Sequence, residues 1–180
     1  MKERSETMYL TRRNILVFTT ASVALPAIGI PRRGDAPALG DALDSTLVYL
    51  SPLKEDGTES TCHGEVWFVL HDGSMYVSTR TGAWRAENVR NGNELARLWV
   101  GEHGVWTEAG DKFKDSPSFV ATAEFETDKA VQAAVLAKFG EKYSSGWGKW
   151  GPRFKQGLES GARVLLKYSR VENGHVVPIG

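Results

Sequence analysis

The run GEVWFVLHDGSMYVSTRTGAWRAENVRNGNELARLWVGEHGVW, residues 64–106, decides the fold, because strand-like and helix-like pieces follow one another in it without a gap. Glu65 to Leu70 is dominated by aromatic and β-branched residues over the length of a strand, and His71-Asp72-Gly73-Ser74 supplies the Asp-Gly pair of a tight hairpin turn. Met75 to Arg80 is the returning strand. It closes on Ser78, Thr79 and Arg80, two hydroxyls and a guanidinium, all of them donors suited to an anion. After the Thr81-Gly82 break, Trp84 to Arg90 is compatible with a helix that stops at Asn91-Gly92. Two further strands, Ala96 to Val100 and Val105 to Thr107, are expected on either side of Glu102-His103-Gly104.

This order delivers Ser78, Thr79 and Arg80 to the start of a helix that itself carries Arg85 and Arg90. Helix N-termini attract anions through unpaired N–H groups, and arginine adds a bidentate fork. A single phosphate held by all of these residues is the economical reading of the spacing.

The same residues carry a resemblance. Arg85-x-x-Asn88-Val89-Arg90-Asn91, behind the Gly82 turn and a hairpin strand ending Ser78-Thr79-Arg80, resembles the helix motif of the FMN-binding split-barrel superfamily, the pyridoxamine 5'-phosphate oxidase-like and F420-dependent reductase-like proteins. The resemblance covers roughly residues 46 to 170, and this short motif is its specific part. It implies a split barrel that pairs as a homodimer, with FMN or the deazaflavin F420 in the groove between subunits. Carried onto this chain, it implies that Arg85 and Arg90 neutralise a phosphate, that Ser78, Thr79, Arg80 and Asn88 bind the cofactor, and that Trp84 or Trp147 flanks its ring.

The chain has 180 residues, enough for one domain with a proper core. Its formal neutrality hides an asymmetry: beyond Arg33 it holds 16 basic and 20 acidic residues, a net charge of −4. Such a balance lacks the basic footprint that a nucleic-acid partner requires. The excess of positive charge lies in residues 1–33, where Arg12 and Arg13 stand directly before a moderately apolar run reaching Ile30, the pattern of a twin-arginine export signal. Pro26 and the hydroxyl residues Thr19, Thr20 and Ser22 make that run a poor membrane span, so cleavage and release outside the cytoplasm, in the periplasm or at the cell exterior, are expected. Residues 34–45, rich in Pro, Gly, Ala and Asp, read as a linker, and 46–180 as the folded domain. Cys62 is the only cysteine, and Cys62-His63 without a second ligand cluster gives no metal site.

Beyond Trp106, residues 108–117 read as an exposed loop and Phe119 to Phe125 as a strand, with Phe119, Ala121, Ala123 and Phe125 on one face. Thr127 and Asp128 open a helix running to Gly140 whose Val131, Ala134, Val135 and Phe139 form a core-facing stripe. Tyr143 to Phe154 interleaves Trp147, Trp150 and Phe154 with Gly146, Gly148 and Gly151. This segment reads as flexible, either capping a barrel end with bulky rings or walling a planar ligand. Ala162 to Arg170 is a last strand, with Val164, Leu166 and Tyr168 inward, after which the chain trails off.

The sum is a mainly β (α+β) domain of about six strands, a small antiparallel split barrel with two inserted helices. The leading functional expectation is an oxidoreductase that binds FMN or F420 and acts on a small-molecule substrate or electron acceptor, with no catalytic side chain identifiable. The alternative is a non-catalytic carrier for flavin, haem or another planar ligand. A third reading leaves the barrel empty and makes the arginines a solvated face.

Overall fold

The computed structural model describes residues 39–180; the expected export signal at 1–33 and the start of the linker lie outside them. Eight strands form one sheet: β1 (Leu47–Pro52), β2 (Gly64–Trp67), β3 (Val69–His71), β4 (Ser74–Arg80), β5 (Leu95–Val100), β6 (Ser118–Glu126), β7 (Arg163–Glu172) and β8 (His175–Val177). Their order is β2-β1-β5-β6-β7-β4-β3, antiparallel throughout, with β8 added to β7. The two ends of that path, β2 and β3, are consecutive in the chain and separated by Phe68 alone. The sheet therefore curls back on itself as a nearly closed barrel, split at Phe68. The expected strand from Glu65 to Leu70 is thus two strands that pair with opposite neighbours.

The split is held by one hydroxyl. Tyr143 Oη accepts from the Phe68 backbone N–H at 2.9 Å and faces the carbonyls of Phe68 and Thr46, each at 2.8 Å. Buried backbone groups without a ladder partner need another, and Phe68 is wholly buried. Tyr143→Phe leaves them unpaired at a cost of about 1–3 kcal/mol. The expected result is a thermal midpoint lowered by about 2–4 °C per kcal/mol, read by calorimetry, and an unchanged midpoint would remove this role from the hydroxyl.

Inside the barrel the strands alternate as a half-buried sheet must. Val48 and Leu50, Met75 and Val77, Leu98 and Val100, Phe119, Ala121 and Ala123, and Leu166 and Tyr168 all point inward, and the partly buried Phe125 packs with them as expected. The Asp72-Gly73 turn has φ of 47° and 70°, the pair of positive values a two-residue hairpin requires.

The described residues hold four helices, not two: α1 (Trp84–Arg90), α2 (Trp106–Ala109), α3 (Lys129–Lys142) and α4 (Ser144–Ser160). Helix α1 has the expected bounds, with Asn91 as its C-cap and Gly92, φ 82°, turning the chain away just beyond it. Asp128, not Thr127, caps α3, its carboxylate accepting from the N–H groups of Ala130 and Val131. The expected strand at Val105 to Thr107 is a helical turn, and the expected exposed loop 108–117 contains a 3-10 turn that buries Phe113 while its other residues stay exposed.

The largest departure is residues 143–154, which form most of α4 and are not a flexible segment. The glycines there are contact points. A Cβ on Gly151 would fall 2.8 Å from the Trp147 ring, one on Gly140 would fall 2.9 Å from it, and one on Gly146 would fall 3.2 Å from Trp67. With those side chains missing, Trp147 lies parallel to Phe139, centroids 6.1 Å apart, and edge-on to Phe154 at 5.6 Å. Helices α3 and α4 are thus zipped together by rings and cover Val69, Tyr76 and Leu165 on the outer face of the sheet.

Both ends of the described chain are also more ordered than expected. Leu39 is buried, Gly40–Asp44 is a 3-10 turn, and Lys142 reaches back over the Phe68 ring to the Leu43 carbonyl. Burial pushes the Lys142 amine down to about 8. At the other end Asn173-Gly174, φ 51° and 78°, turns the chain into β8, and Ile179 is buried.

Candidate functional site

The end of β4 carries the predicted cluster, and the pleat divides it. Successive side chains of a strand point to opposite faces, so Ser78 and Thr79 serve different sides of the sheet. Thr79 faces α1, where its Oγ1 accepts from Arg85 Nη1 at 2.7 Å. Ser78 faces α4, where its Oγ accepts from Arg163 Nε at 3.0 Å and its carbonyl from Arg163 Nη2 at 2.9 Å. Arg80, in the same phase as Ser78, is exposed.

Arg85 is the centre of the inner side. Its guanidinium stacks over the Trp84 indole, 5.0 Å from the centroid, and lies so close to the chain at Gly64 that a Cβ there would fall 2.9 Å from Nη2. Nε is buried and has no hydrogen-bond partner. Among the described residues no carboxylate comes within ion-pair distance of Arg85. Burial alone pulls its pKa down, with the buried Tyr168 phenol and Glu65 opposing weakly. The same burial raises the Tyr168 phenol, which stays a neutral donor. A narrow cleft opens here at the barrel mouth, lined by Leu50, Trp84, Arg85, Asn88, Ala123 and Tyr168.

The other predicted residues are not gathered at this point. Arg90 is paired with Glu87 at 2.6 Å, donates to the Thr81 carbonyl at 3.3 Å and lies over Phe125. Five residues on from Arg85, it projects from a different side of the helix. Trp147 sits in the α3–α4 layer, whose packing lies on the opposite face of the sheet from the core that Trp84 joins. Because α1 has only seven residues, its backbone adds little to an anion site, which rests on Arg85.

The residue that sequence reasoning missed is Arg163. It stacks over Phe154 at 4.3 Å, and Gly157 makes room for its stem, since a Cβ there would fall 2.5 Å from Cγ. Burial first, then the neighbouring Arg80 and Arg85, hold its pKa below the usual value. Only the pairing of β4 with β7 reveals it, because Arg163 lies opposite Arg80 and 83 positions away in sequence.

No family model matches the chain, and no curated protein matches it significantly. Solved structures do. HutZ, the haem-storage protein of Vibrio cholerae, is 18% identical over 77% of this chain and 89% of its own, with a TM-score of 0.52. A conserved hypothetical protein of Mycobacterium tuberculosis is 19% identical over 78% of this chain and 85% of its own, with a TM-score of 0.51. A protein of unknown function from Agrobacterium tumefaciens gives 15% identity over 76% of this chain and 55% of its own, at 0.50. Identities of this size show a shared fold. That fold is the split barrel which the Arg85-x-x-Asn88-Val89-Arg90 resemblance implies.

Proposed function

We propose that this protein binds a flat, anionic cofactor at the mouth of the barrel, FMN or the deazaflavin F420, and uses it to move electrons or hydride to a small-molecule acceptor. The observation that carries this reading is Arg85: a guanidinium set into the barrel mouth, its Nε buried and unpartnered, with no carboxylate to neutralise it among the described residues. Holding such a charge out of water is costly unless a counter-ion arrives. The donors suit a phosphate once the cleft widens beyond its volume of about 10 Å³: Arg85 carries an unpartnered Nε, and Asn88 lines the same cleft together with Glu94. Trp84, packed under Arg85, gives the flat apolar wall that a ring system needs.

The bound cofactor would supply the redox chemistry, and the chain would supply binding, orientation and exclusion of water. Export through the twin-arginine signal and pairing as a homodimer belong to the same proposal. Their support is the Arg12-Arg13 pair and the motif resemblance respectively.

A second reading, a carrier for haem, is favoured by one finding, the likeness to a haem-storage protein. The haem propionates would then be the anions that meet Arg85. Purification from a host that makes FMN, F420 and haem, followed by a visible spectrum, separates the two. A flavin or deazaflavin band that bleaches on reduction and recovers with an added acceptor supports the oxidoreductase. A Soret band supports the carrier, and a colourless protein that takes up none of the three overturns both.

A further inference from the structure

Arg80 and Arg163 are the last partners of the β4–β7 ladder and stand directly opposite each other. Opposed residues of an antiparallel pair share a face, with Cβ atoms about 5 Å apart, and like charges placed there repel. Among the described residues, no carboxylate within ion-pair distance of either guanidinium offsets the repulsion.

Arg163 is also held in place. Phe154 lies under its guanidinium, Gly157 clears a path for its stem, and Ser78 takes Nε and one hydrogen of Nη2. The remaining donors have no partner in that set of contacts, and the exposed Arg80 stands beside them. A loose surface arginine would need none of this packing.

We propose that Arg80 and Arg163 form a second anion-binding site, on the α4 side of β4, for a doubly charged oxyanion such as a phosphate or diphosphate group. Two guanidiniums match a dianion in charge, and their forks match its oxygens in geometry. The site is separate from the Arg85 cleft, because Arg85 meets Thr79 and Arg163 meets Ser78 on the other face of the strand. It stands whether or not a cofactor binds at Arg85.

The test is calorimetric titration of the full chain with inorganic phosphate and inorganic pyrophosphate, each at constant ionic strength. Saturable binding is expected, tighter for pyrophosphate. Arg80→Gln, at an exposed position that folding does not depend on, should weaken it by about tenfold. Arg163→Lys keeps the charge and loses the fork, and should also weaken it. Arg85→Met removes the anion donor of the barrel mouth and a positive charge that Arg163 feels, so it should weaken binding by less than Arg80→Gln does. The proposal is overturned if neither anion saturates, if Arg80→Gln binds as well as the wild type, or if Arg85→Met alone abolishes binding.

Discussion

Arg85→Met should lower affinity for the proposed cofactor by about 30- to 1,000-fold, the equivalent of about 2–4 kcal/mol for losing a close charge partner, while leaving the fold as stable as before or slightly more so. The two halves of this expectation have one cause. Arg85 is buried in part with a single hydrogen bond, to Thr79, and an orphaned Nε. Its charge contributes little to the empty protein, because removing a poorly compensated buried charge in favour of an apolar side chain of similar volume is often neutral or stabilising. A bound phosphate or propionate reverses the balance by completing the fork. Fluorescence titration with FMN and F420, absorbance titration with haem, and a thermal melt on the same preparation measure both halves. A variant that binds normally would make Arg85 a structural residue, and one that fails to fold would give it the role of a buried anchor.

Phe139→Ala is the largest expected loss of stability, about 3–5 kcal/mol for deleting a fully buried ring, which shifts the melting midpoint downward by roughly 10 °C in a domain of this size. Phe139 is fully buried and touches three rings of α4 and its cap at once: Trp147 face to face, Tyr143 at 5.8 Å and Phe154 edge-on at 5.6 Å. No other side chain described there joins all three, so the cavity cannot close without unstacking α3 from α4. Cofactor affinity of the folded fraction should stay within about twofold, because this layer lies across the sheet from Arg85. A drop in affinity without a drop in stability would instead put the α3–α4 rings at the binding site, as Trp147 was expected to be.

What could be read from the sequence was what neighbours decide. The Asp72-Gly73 hairpin, helix α1 with its Gly92 stop, and the inward row Phe119, Ala121 and Ala123 are each fixed by residues a few positions apart. The split at Phe68 was out of reach, since it depends on a hydroxyl 75 positions away. Helix α4 was hidden for a similar reason: glycines and Pro152 argue against a helix locally, and only the stacking of Trp147 on Phe139 explains them. Two signals were present and went unread. Asn173-Gly174 is as strong a hairpin pair as Asp72-Gly73, and the period of a strand already forbids Ser78 and Thr79 from sharing one face. Arg85 was found through its motif, whereas Arg163 acquires its setting only from the β4–β7 register.

The most direct test of the account is a crystal structure of the protein with whichever of FMN, F420 or haem binds most tightly. It should show the phosphate or a propionate hydrogen-bonded to the Arg85 guanidinium at about 3 Å, with Nε among the donors. A ligand lodged elsewhere, with the Arg85 Nε still unpartnered, would contradict it.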